Sequence, residues 1–278
     1  MTDTPPHLPW SLRDIPLSRI EADRIRDDDA LFLLVCSASF IESGSDTYTA
    51  NLVERFADDG EVGAWLRTQW EPEELQHGRA LRAYVEHVWP EFDWESAYAD
   101  FFADYRRLCT VEELEPTRGQ EMAARCIVEM GTTTYYQALH DACEEPVLRG
   151  LFARIRSDEV GHYKHFHAYF SKYRVIERLH RGQTLAAIVR RLRELRRDDA
   201  EIALRHVVAW HQRCFPRRGL ASAQAGPLLV GDAMRLLKTH LPMDLAVRMA
   251  LKPLLLRPRL QRMMVSPLAA LGRAVLLH

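Results

Sequence analysis

The chain of 278 residues is 47% hydrophobic and 27% charged, with a formal net charge of −2, the composition of a globular protein long enough to bury one large core or two smaller ones. Five cysteines, odd in number and without a CxxC, suggest neither a disulfide framework nor a zinc–thiolate site. The opening MTDTPPHLPW lacks the basic start and apolar run of a signal peptide, and no stretch offers about 18 uncharged apolar residues for a membrane span, so a reduced, cytoplasmic setting is expected.

No run of alternating Val, Ile and Thr bounded by turn residues stands out, and the chain reads as all-α. After an N-terminal extension over 1–26, a long helix is expected from Asp27 to Ala57, with Glu42 in its middle, ending at the turn signal Asp58-Asp59-Gly60. A second runs from Gly60 to Pro90, kinked or restarted at Pro72, just before Glu73. The aromatic-rich link from Glu91 to Pro116 should contribute a crossing helix or two. A third long helix extends from Thr117 to Pro146, and a fourth starts at that proline, a favoured first-turn position. Four long helices with a lengthy link between the second and third suggest the one-crossover, ferritin-like four-helix bundle over 27–173. Residues 174–278 then form a basic helical region packed on it, its less regular last part interrupted by Pro227, Pro242, Pro253, Pro258 and Pro267.

Two short stretches carry chemistry. In SDEVGH, Glu159 and His162 lie one turn apart, so a carboxylate and an imidazole face the same way. One ExxH is ordinary, but WEPEELQHG repeats it in Glu74 and His77, and each pair follows a helix with a glutamate of its own, Glu42 and Glu129. Glu42 and Glu74 are 32 residues apart, Glu129 and Glu159 30 apart. Each interval is one helix down, a turn and half a helix back, which places all six at a similar bundle height. Four carboxylates and two histidines suit two iron ions, with manganese as the alternative metal. Six ionisable groups facing a core are costly unless a metal pairs them. Two ferrous ions with open positions can reduce dioxygen and attack an unactivated C–H bond, which redox-silent zinc cannot do. Tyr48, Trp65 and Trp70 read as core aromatics, and His165 and His167 as solvated.

WEPEELQHGRALRAYV resembles the W-T-A-E-E-x-x-H-x-x-x-L-x-x-Y-L stretch of the soluble acyl-ACP desaturases, and EEPVLRGLFARIRSDEVGHYKHF is similar to that family's fourth-helix motif. The resemblance covers roughly Leu31 to Tyr173. It implies iron ligands Glu42, Glu74, His77, Glu129, Glu159 and His162, a Thr132 near the oxygen-binding side of the metals, and an Asp158 that hydrogen-bonds a ligand histidine. It further implies a homodimer, an acyl carrier protein or acyl-CoA substrate, and a ferredoxin-like electron donor. The chain departs from the plant enzymes at Gly161, where they hold arginine, and in its basic ending. The same bundle hosts hydroxylases and N-oxygenases, and fold analogy does not separate them. A ferritin-like storage role would instead require a cage-forming surface.

The charge is unevenly spread. From Arg174 onward 20 Lys/Arg stand against 7 Asp/Glu, whereas the first 173 residues carry 17 against 32. The asymmetry fits either an acidic partner or acidic and basic parts packed on each other. The run RRLRELRR at 190–197 would dock an acidic carrier protein or ferredoxin; the acidic first part argues against nucleic acid. The ending MALKPLLLRPRLQRMMV has the apolar-basic pattern of a peripheral membrane contact.

Overall fold

A computed structural model describes residues 8–110, 114–194, 199–215 and 222–277. Among them every regular element is helical and no strand occurs, as the composition implies. The helices are α1 (Asp29–Ser43), α2 (Ser45–Arg55), α3 (Gly60–Trp65), α4 (Glu71–Val88), α5 (Trp94–Tyr105), α6 (Arg118–Ala142), α7 (Pro146–Ile176), α8 (Arg181–Glu194), α9 (Asp199–Cys214), α10 (Ser222–His240), α11 (Met243–Leu251) and α12 (Pro258–Leu277). Among the described residues no helix is long and apolar enough to cross a membrane.

The chain divides into two compact units, each discontinuous in sequence. Unit 1 comprises 1–113, 143–151 and 198–233; unit 2 comprises 114–142, 152–197 and 234–278.

In unit 1, aspartates start three of the helices. Asp28 accepts from Leu31 N–H at 2.9 Å, Asp59 from Val62 N–H at 3.3 Å and Asp93 from Ser96 N–H at 3.1 Å, each relieving a first-turn donor that lacks a helical partner. Helix α1 packs on α4 and α9, and α5 on α9. Phe32 of α1 lies edge-on to Trp89 and Phe92, both at 5.0 Å between ring centroids, and to Phe215 at 5.6 Å.

The single helix expected over 27–57 is in fact two. It breaks at Gly44, where α1 ends, so Glu42 stands in the last turn of α1 and not at a helix centre. Side chains take up the carbonyls released there: Ser45 Oγ donates to Glu42 O at 2.8 Å and Tyr98 Oη to Ser43 O at 3.0 Å. A Cβ at Gly44 would meet Tyr105 Cε1 at 2.9 Å, which is why glycine sits at the break. At Pro72 the helix restarts, as expected, with α4 beginning at Glu71. The turn Leu66–Trp70 widens into π-helical form, with Glu71 N–H reaching Leu66 O, and Pro72 enters the first turn of α4, where its missing N–H costs least.

In unit 2, α6 packs against α8 and α11, and α11 against α12. Part of the charge is neutralised internally: Arg190 pairs with Glu115, Arg191 lies 3.2 Å from Glu194 and 3.9 Å from Glu121, and Arg125 bonds Glu121 at 3.1 Å. The first two arginines of the basic run are thus occupied within their own unit, while Arg196 and Arg197 lie outside the described residues. The proline-interrupted ending is helical rather than irregular. Pro258 opens α12, Pro242 precedes α11, and Leu255, at φ 49°, turns the chain between α11 and α12 in the left-handed region. Pro227 and Pro267 stand inside α10 and α12.

Candidate metal centre

In unit 1, Glu42 closes α1 while Glu74 and His77 occupy the first two turns of α4. All three are buried, at 6%, 7% and 0% exposure. His77 Nδ1 stands 3.8 Å from Glu42 Oε2, and each of the three offers a ligand atom within 4.8 Å of the others. Gly78 permits this closeness, since a Cβ there would meet Ser43 N at 2.7 Å and Ser43 Cα at 2.9 Å, backbone atoms of α1 that cannot swing aside. Trp10, from the stretch read as an extension, stacks on the His77 ring with centroids 6.0 Å apart and planes 9° off parallel. Neither residue carries a sequence signal: a glycine in QHGRA and a lone tryptophan 67 positions from its partner have no periodicity to read.

In unit 2, Glu129 lies midway along α6, and Glu159 and His162 midway along α7, each at 1% exposure. His162 Nδ1 is 3.5 Å from Glu129 Oε2 and 3.8 Å from Glu159 Oε2. Glu129, Glu159 and His162 again offer ligand atoms within 4.8 Å of one another. Thr132 Oγ1 has carbonyls at 3.2 Å and 3.5 Å but lies nearest Glu159 Oε2, at 2.6 Å, so its single proton goes to the carboxylate in a charge-assisted bond. Asp158 is half-buried beside Glu159.

Both sets of buried Glu and His side chains could hold a metal ion. Burial holds the Glu129 carboxyl well above the ordinary carboxylate range, an effect opposed by the nearby His162 imidazole and reinforced by the neighbouring Glu159 charge. Carboxylates crowded in a water-poor core repel one another, and a bound cation removes that penalty. The donor set of hard carboxylate oxygens with one imidazole per set, and no thiolate, fits iron or manganese. No protein-family model and no curated protein matches the chain. Trp65 and Trp70 are buried, at 7% and 4%, in keeping with packing, and Tyr48 is half-buried.

Proposed function

We propose that the two Glu/ExxH sets together hold two iron ions in one centre, and that the protein is an O2-dependent di-iron oxidoreductase. Its substrate in this reading is an acyl chain carried on ACP or CoA, and its outcome is desaturation. The observation that carries the reading is the same donor set built twice. One lone glutamate and one ExxH are buried in each unit, on helices whose glutamates are 32 and 30 residues apart. The two long motifs shared with the acyl-ACP desaturases supply the substrate class, together with the homodimer and the ferredoxin-like donor.

When bound, two ferrous ions supply the electrons and open positions that reduce dioxygen. The remaining work belongs to the chain. Four glutamates balance the cationic charge, and two imidazoles complete the donor set. Thr132 holds Glu159 through its 2.6 Å hydrogen bond and keeps a proton at that oxygen. Asp158 is assigned the orienting of a ligand histidine.

Intact-product mass spectrometry tests the reading, after the reduced, iron-loaded protein and O2 are mixed with a panel of acyl-ACPs. Loss of two hydrogens is expected. Gain of one oxygen would move the assignment to hydroxylation, and no change with any acyl chain would transfer it to an amine or another non-acyl substrate.

A further inference from the structure

Unit 2 contains a cleft of about 460 Å³ bounded by α6, α7, α11 and α12, within the roughly 300–1,000 Å³ typical of small-molecule sites. Val160, Leu245, Met249 and Val265 give it apolar walls. Tyr163 adds its ring, its hydroxyl being held by Met249 O at 2.7 Å. Four exposed cations line it as well: Lys164, Arg248, Lys252 and Arg262. Among the described residues none of the four forms an ion pair, and no acidic side chain lines the cleft. Lys252 does lie over the Tyr163 ring, 5.6 Å from its centroid. Four cations gathered at an apolar hollow repel one another, and an anion with an apolar body answers both features at once.

A second, independent observation lies at the inner end. Of the consecutive Thr132, Thr133 and Thr134, the outer two satisfy their hydroxyls, on Glu159 and on Met130 O at 2.6 Å and 2.8 Å. Thr133 is 1% exposed, lines the cleft and has no hydrogen-bond partner at Oγ1. A buried hydroxyl left unmatched is costly unless something in the cleft accepts from it.

We propose that this cleft binds a free, single-chain amphiphile whose carboxylate head sits among Lys164, Arg248, Lys252 and Arg262 and whose inner end carries an oxygen that accepts from Thr133. The site is formed by unit 2 alone and does not depend on metal or on the acyl-carrier reading, so it is tested on the full chain without iron.

Calorimetric titration with hexadecanoate, hexadecanol and a length series of ω-hydroxy carboxylates supplies the test. Saturable binding of one carboxylate per chain is expected, with one ω-hydroxy length preferred. The charge reversal R248E/K252E should weaken carboxylate binding roughly tenfold or more, about 1.4 kcal/mol, and leave hexadecanol unaffected. T133V should abolish the ω-hydroxy preference alone. If R248E/K252E loses its helical circular dichroism, V265W, which fills the cleft and keeps all four cations, must itself remove binding. Absence of saturable binding, retention of binding in V265W, or association seen only with anionic vesicles would each overturn the proposal, the last by pointing to a bilayer surface. Equal competition by inorganic phosphate would also overturn it, because the apolar walls would then contribute nothing.

Discussion

At Glu145 one buried carboxylate, 1% exposed, accepts from four donors drawn from three parts of the chain. Tyr84 Oη and Leu148 N–H reach Oε2, both at 2.8 Å, while Val147 N–H and Glu21 N–H reach Oε1, both at 3.2 Å. Two of these are first-turn amides of α7, so Glu145 caps that helix and ties α4 and the N-terminal stretch to its start. E145Q keeps the shape but turns an amide NH2 toward donors. It should destabilise the protein by about 2 kcal/mol, read as a lower urea midpoint at unchanged slope; a midpoint equal to wild type would remove Glu145 from this role. Before the structure, Glu145 was legible only as part of the EEP that precedes α7. Its partners lie 61 and 124 residues away, and contacts at that separation leave no local pattern. Glu74, His77, Glu159 and His162 were legible as candidates because a spacing of three on a helix is a statement about geometry, and Glu42 and Glu129 through the matching intervals of 32 and 30 residues.

Long, regular elements were the easiest to read. Helices α6 and α7 begin within a residue of the expected starts, since proline and charged first turns mark them and no interior break intervenes. The break at Gly44 was missed because the apolar face before it and the polar stretch after it merge into one periodic run. What places glycine at the break is tertiary: Tyr105 leaves no room for a side chain there. Pro227 and Pro267 misled in the opposite sense, as helices continue through both. Gly78 shows how such packing bears on the site. G78A would drive a methyl into the backbone of Ser43, one residue beyond Glu42, and α1 and α4 would have to separate. The expected cost is about 1–3 kcal/mol of stability, with His77 and Glu42 drawn apart from their 3.8 Å approach. Metal titration of the folded variant should show weaker binding than wild type. A variant as stable as wild type and with undiminished metal affinity would mean that the close approach of α1 and α4 has no bearing on the donors.

For the whole molecule, the decisive matter is whether the unit 1 and unit 2 donors act as one centre. Each set alone offers two carboxylates and one imidazole, enough for a weak site but fewer than the ligands a firmly held ion takes. Pooled, six residues would hold two ions, and loss of a donor from either unit would damage both. H77A and H162A test this as a double-mutant cycle read by metal-dependent thermal stabilisation. A ligand at about a hundred times its dissociation constant contributes about 2.7 kcal/mol to stability, an effect large enough to resolve. Under a pooled centre, wild type binds two ions per chain, either single variant loses most of the stabilisation, and the double variant loses little more. Independent half-sites would instead give additive losses, because groups that share no partner add within about 0.3–0.5 kcal/mol. Additive behaviour, with one ion retained in each single variant, would refute the dinuclear reading while leaving two separate metal sites in place. Circular dichroism of the metal-free variants should stay helical, since each alanine removes an ionisable group from the core without touching the aspartate caps or the Glu145 junction that hold the helices.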